Sequence, residues 1–199
     1  MKTLRLSFAP GALLLGLVAP VAVHAGPWSV RVAAAYLQTV DESSNTVSVK
    51  VEDKFIPEFD VSYSFNEHWD ADLVLTVPQE HSVKANGAPL GTFKHLPPTL
   101  LAKYKFTPMG GFQPYVGTGV NFTLIFDDNL AGGGLKLENY SIGPALQAGF
   151  DWKLNDRWAL NLDVKKAKLR TDVSTAAGAF VTEAQLDPWI YSAGVRYAF

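Results

Sequence analysis

Apolar side chains recur at every second position along most of this chain. Helices, whose apolar positions recur at three and four, do not produce such a regularity. In residues 112–126 one parity holds Phe112, Pro114, Val116, Thr118, Val120, Phe122, Leu124 and Phe126, and the other holds Gln113, Gly117, Gly119, Asn121 and Thr123. Residues 140–154 repeat the pattern, with Ile142, Leu146, Phe150 and Trp152 opposite Ser141, Gln147, Asp151 and Lys153. Runs of the same character cover 28–38, 51–65, 69–77, 98–106, 157–170 and 189–199. A slip of phase near Lys166 predicts a bulge in the seventh run. The pattern predicts eight strands.

The links between the runs alternate in length. Tight turns are expected at 66–68, 107–111 and 155–156, which carry Asn, Asp or Gly. Long polar links fall at 41–50, 79–97, 127–139 and 171–184. Short turns at one end and long links at the other describe an all-β fold, an eight-stranded antiparallel up-and-down barrel.

Composition narrows the setting. The chain is 48% apolar, 12% aromatic and 18% charged. It has no cysteine, which excludes disulfide scaffolds, thiol catalysis and cysteine metal sites. With 17 Lys and Arg against 19 Asp and Glu it has no basic surplus to attract nucleic acid. Lys2 and Arg5 precede an apolar stretch, Ala12 to Val23, that ends in Val23-His24-Ala25. Small residues at 23 and 25 fit a secretory cleavage site, so residues 1–25 are expected to be a signal peptide and 26–199 the barrel domain. About twelve apolar residues interrupted by Pro20 are too few to span ~30 Å of hydrocarbon.

The apolar face is too large to be the inside. About six apolar residues on each of eight strands give roughly 48 side chains, whereas eight strands enclose only a narrow, filled lumen. Trp28, Phe65, Trp69, Phe106, Phe112, Trp152, Trp158 and Phe199 all fall beside the short-turn end, as a belt at one water–lipid boundary would. A soluble, lipocalin-like carrier would face these residues inward. The expected setting is therefore a membrane barrel with an apolar outer wall.

Three spaced segments carry a family resemblance. His95-Leu96-Pro97-Pro98-Thr99, the run from Pro114 to Thr123, and Leu186-Asp187-Pro188-Trp189 with Gly194, Arg196 and Tyr197 resemble the outer-membrane protein W (OmpW) family over the barrel domain. The resemblance implies a bacterial outer-membrane barrel that passes small hydrophobic molecules, alkane-uptake relatives included. The C-terminal Phe199, with Tyr197, Val195 and Tyr191, resembles the signal read by the barrel-assembly machinery. Family members can carry a pore-constricting aromatic residue on the seventh strand where this chain has Lys165, so no constriction is carried over.

If the short turns are periplasmic, odd strands run outward and even strands inward. The inward-facing exceptions to polarity are then Leu37, Ile56, Val74, Leu101, Ile125 and Ile190, all near the midplane or in the extracellular half. Arg31, Asp70, Asp72, Lys103, Lys105, Asp151, Lys153 and Arg196 point inward in the periplasmic half. An aliphatic mouth over a charged floor suits binding a small hydrophobic ligand, with packing filler as the competing reading. Pro78 ends the third strand and Pro97 and Pro98 open the fourth. Proline removes ladder donors, so weakened pairing there is the expected lateral opening toward the bilayer, against a role in shaping the link alone.

Other constellations carry little. His81 and His95 share one link without further metal ligands. Asp127-Asp128-Asn129 reads as a solvated acidic turn rather than a calcium loop. Asn121-Phe122-Thr123 and Asn139-Tyr140-Ser141 match a glycosylation sequon but fall on or beside strands. His68, His81 and His95 are placed in turns or loops, and no Ser, His and acid are arranged for catalysis. No enzyme activity, cofactor or metal is expected. Two functions remain open: passive uptake of small hydrophobic compounds, or a structural barrel whose loops bind other surfaces and whose lumen is merely filled.

Overall fold

The computed structural model describes residues 26–39, 43–44, 47–85 and 87–199; the expected signal peptide lies outside them. Eight long strands among these residues form one wall: β1 Trp28–Gln38, β2 Lys54–Ser64, β3 Trp69–Thr76, β4 Thr99–Lys105, β5 Phe112–Leu130, β6 Tyr140–Lys153, β7 Trp158–Ala167 and β8 Trp189–Ala198. Each pairs antiparallel with the next. β8 returns to β1, from Ser29↔Ala198 to Gln38↔Trp189, and closes the barrel. Closure removes the strand edges whose free N–H and C=O groups hydrocarbon cannot satisfy.

The outward faces are apolar through the middle of the wall. Val32, Leu73, Leu100, Val120, Leu146 and Leu162 are all exposed at mid-wall. Aromatic side chains ring the short-turn end, with Trp28 on Tyr63 at 4.9 Å, Trp69 on Tyr104 at 5.1 Å and Trp158 on Tyr197 at 4.8 Å between ring centres. Phe55, Tyr140, Trp189 and Tyr191 are exposed toward the other end. The turns are held locally: Asn66 Oδ1 accepts from the N–H groups of His68 and Trp69, and Asn155 Oδ1 from those of Arg157 and Trp158. These Asx turns are why the short connections carry asparagine.

The long links differ from the expectation of irregular loops. Gln79–Ala85 and Ala88–Leu96 form a hairpin, as do Arg170–Thr175 and Phe180–Gln185. Val47–Val51 pairs with the first hairpin, that hairpin with the end of β5, and Leu135–Leu137 bridges β5 to Arg170–Thr175. The barrel wall thus continues beyond the membrane as a ladder.

The bulge expected near Lys166 is absent. The β6–β7 register runs unbroken to Ala145↔Ala167. Odd positions face inward without interruption from Ala159 to Val173. What changes is the solvent outside. Below the boundary the outward residues are Leu160, Leu162 and Val164; above it they are Lys166, Lys168 and Arg170, while Ala167, Leu169 and Val173 are buried inside. The first hairpin does the same, with His81, Val83 and Phe93 inward and Glu80, Ser82 and Lys84 outward. An inversion of polarity at constant parity reads in sequence as a slip of phase.

This inversion sets opposite tolerances along one strand direction. Leu162→Arg, on the lipid face, is expected to destabilise the barrel by about 2–4 kcal/mol, whereas Ser82→Arg, outward above the boundary, should cost about 0–1 kcal/mol. Urea titrations of the folded protein in lipid vesicles measure both.

Candidate functional site

Inside the wall, charged side chains are stacked to mid-height and paired almost completely. Arg31 on β1 is the hub. Its Nε donates to Asp60 at 2.5 Å, and Nη1 donates to Asp163 and Asn161, each at 2.5 Å. Nη2 donates to Glu58. Lys165 on β7 binds Glu58 at 2.7 Å and Asp163 at 2.6 Å, so the same two carboxylates are shared by two cations. Lys103 lies 3.0 Å from Asp72, and Lys105 lies 2.7 Å from Asp70. Arg196 reaches Asp151 at 3.4 Å, and its Nη1 donates to Ser62 at 2.6 Å and to Ser29 at 3.2 Å. Asn161 donates to Asp151 at 2.7 Å and to the Tyr115 hydroxyl at 2.9 Å, and Lys103 sits 4.8 Å from the Tyr115 ring centre. Arg31, Asp72 and Lys103 are at most 1% exposed. Burial at this level is tolerated because nearly every charge has an opposite partner and a hydrogen bond.

Of the floor residues named from sequence, Arg31, Asp70, Asp72, Lys103, Asp151 and Arg196 are buried in the lumen and Lys105 is half-buried. Lys153 is exposed instead, on the rim of a recess of about 180 Å³ at the periplasmic end that Asp70, Lys105, Asp151 and Arg196 also line. The sequence reading left Glu58, Asp60, Asn161, Asp163 and Lys165 off the floor. Their inward parity was the available signal, but they stand higher than the residues chosen.

Above the ions the lining turns apolar, in three patches. Leu37 and Ile56 pack with Ala35 and the half-buried Ile190. Val74 and Leu101 pack with Ala145. Ile125 belongs to the largest patch, with Val83, Phe93, Leu130, Leu137, Leu169, Val173 and Leu186, built from the inner faces of the extracellular ladder. The six aliphatics named from sequence are thus not one cluster. Val83, Phe93, Leu130, Leu137 and Val173 of the largest patch lie in links that the sequence pattern presents as loops, Leu169 lies beyond the apparent slip of phase in the seventh run, and Leu186 lies between that run and the eighth.

The proline region interrupts the wall. β3 and β4 are paired from Trp69↔Tyr104 to Val74↔Thr99, and pairing resumes only at Gln79↔His95. Residues 75–78 and 96–98, which include Pro78, Pro97 and Pro98, lie between. His81 and His95, expected in a loop, sit on the two strands above this break with ring centres 4.8 Å apart. Burial holds the His81 imidazole below its ordinary range and pushes that of His95 down to about 3, with His81 and Lys54 adding to the effect. Elsewhere, Asp127 pairs with Lys94 and Asp128 with Lys136, and no cluster of three metal-ligating side chains occurs among the described residues.

A closed barrel with an apolar wall, aromatic belts and an ion-paired lumen defines a transmembrane β-barrel of the bacterial outer membrane. The OmpW family model matches residues 19–199, and the chain belongs to this family. It is 37% identical to the uncharacterized outer-membrane protein y4mB of Sinorhizobium fredii, over 96% of this chain and 92% of the relative. It is 26% identical to the dibenzothiophene metabolism operon protein PahQ of Pseudomonas aeruginosa, over 94% and 95%. The crystal structure of the outer membrane protein OprG from Pseudomonas aeruginosa superposes with a TM-score of 0.73 at 31% identity, covering 88% of this chain and 96% of that one.

Two expectations follow from the buried charges. Arg31→Met leaves Glu58, Asp60 and Asp163 without their common cation and should cost about 3–5 kcal/mol in urea unfolding. The histidines give a pH dependence: the unfolded chain takes up protons below about 6.5 while folded His95 resists until about 3. Stability of the 79–96 hairpin is therefore complete above pH 6.5 and falls as the pH drops toward 3. Hydrogen exchange of its amides reads that loss, and His95→Phe should flatten it.

Proposed function

We propose that the barrel gives small hydrophobic molecules passive entry through its extracellular mouth, followed by lateral release into the bilayer. The observation that carries this reading is the order of linings along the axis. A buried apolar lining lies above a lumen filled with paired ions. An apolar solute gains free energy against that lining and loses it among the ions. The interrupted β3–β4 ladder opens between those levels and beside Val74 and Leu101. The name of the relative PahQ, tied to dibenzothiophene metabolism, agrees with an oily cargo. We include in this reading the apolar lining residues Leu37, Ile56, Val74, Leu101, Ile125 and Ile190. The C-terminal Phe199, exposed at the periplasmic belt, is the contact for the assembly machinery.

A second reading, a surface-interaction barrel, is favoured by the outermost hairpin. Phe180 and Val181 are 66% and 50% exposed on a strand that pairs, among the described residues, with Arg170–Thr175 alone. Uptake separates the two. Cells lacking and regaining the protein are expected to differ in growth rate on a limiting apolar carbon source; equal growth on several such compounds overturns the uptake reading in favour of the second. For the exit path, cysteines at Val77 and Pro97 joined by a short bis-thiol reagent should abolish uptake while the barrel stays folded. Unchanged uptake after crosslinking removes the lateral route.

A further inference from the structure

Two buried histidines stand beside the apolar lining of the mouth. His81 and His95 face inward from neighbouring strands of the first hairpin, diagonal to one another, and are 1% and 3% exposed. With Phe93 they make a cluster of three rings, with centres 4.8 to 5.9 Å apart. His81 Nδ1 lies 3.2 Å from the backbone carbonyl of Glu52. A carbonyl only accepts, so in the neutral ring that nitrogen carries the proton and Nε2 is a bare acceptor. His81 Nε2 is buried and has no hydrogen-bond partner; neither has His95 Nδ1. A buried polar nitrogen without a partner costs stability, and two in one otherwise apolar cluster call for a ligand chemistry.

We propose that His81 and His95 form a hydroxyl-recognition site in the wall of the mouth, so that the cargo it selects is a hydrophobic molecule bearing a hydroxyl group. The proposal rests on the uptake reading above and refines its substrate class. A hydroxyl matches the pair because it both donates and accepts: its O–H donates to His81 Nε2, and its oxygen accepts from a protonated His95 Nδ1. An ether or ketone oxygen offers no donor to His81, and a hydrocarbon satisfies neither ring. Phe93 and Ile125, the residue paired with His95, supply the apolar surface for the rest of the molecule. The position also suits the route, because His95 is paired with Gln79 at the first rung above the β3–β4 break. A molecule held there by its hydroxyl lies beside the way out.

The test compares 2-naphthol, 2-methoxynaphthalene and naphthalene binding to the folded protein in lipid nanodiscs, with empty nanodiscs as the blank. 2-Naphthol is expected to bind about tenfold more tightly than naphthalene, with 2-methoxynaphthalene, which can satisfy His95 alone, between the two. His81→Phe and His95→Phe keep the rings and remove the nitrogens; each should lower the preference for 2-naphthol, and the two together should bring it down to naphthalene while naphthalene binding is unchanged, which also reports an intact fold. Equal binding of 2-naphthol and 2-methoxynaphthalene to the unaltered protein overturns the hydroxyl site while leaving the uptake reading standing, and needs no variant. A preference that survives both substitutions overturns it as well. If none of the three binds and cellular uptake of naphthalene does not depend on the protein, the uptake reading falls and this site with it.

Discussion

Hydrocarbon offers no partner to a backbone N–H or C=O, and this single fact governs the molecule. It forces every strand of the wall to have two neighbours, which is why β8 must return to β1. Closure with eight strands then fixes a narrow bore. A narrow bore lined by inward polar residues has to satisfy those residues among themselves. Arg31, reaching carboxylates on both β2 and β7, is the result of that geometry. The ionic fill is thus a consequence of the wall, and it makes the lumen a poor path for oily or charged solutes alike.

The proposed uptake route accordingly runs above the ions and sideways. Where the strands leave the membrane, the outside becomes water and the inside is free to become apolar, as Val83, Phe93 and Leu169 show. The transition falls where prolines interrupt the β3–β4 ladder. The sequence Leu186-Asp187-Pro188-Trp189 handles the equivalent transition between β7 and β8 differently. Pro188 has no donor, and Asp187, at φ 26°, turns its carboxylate to accept from the Leu169 N–H at 2.9 Å. One junction is capped by a side chain, and at the other the rungs stop at Val74↔Thr99 and resume at Gln79↔His95.

Much of the wall was legible because lipid imposes a strict period on each strand. The first run, 28–38, coincides with β1, and the turns at Asn66 and Asn155 fall where the asparagines do. Two kinds of information were not. Short hairpins in water, such as 79–96, carry mixed polarity on both faces and give no clear period, so their inner residues passed for loop. Partners across the bore were also hidden. Arg31 and Asp163 are 132 positions apart, and only the stagger of the strands brings them level. Parity says which way a side chain points, not how high it stands.

The inversion of polarity at the boundary divides the molecule by the solvent that drives its cohesion. Within the bilayer, burying a leucine against another strand brings no hydrophobic gain, because lipid tails are as apolar as the strand. The wall is held by its hydrogen-bond ladder and its ions. The ladder above, with Leu130, Val173 and Leu186 buried away from water, is held as a soluble sheet is. Hydrophobic cohesion weakens on cooling, whereas a hydrogen-bond ladder in hydrocarbon does not share that decline. On this ground cooling weakens the cohesion of the extracellular ladder ahead of that of the wall.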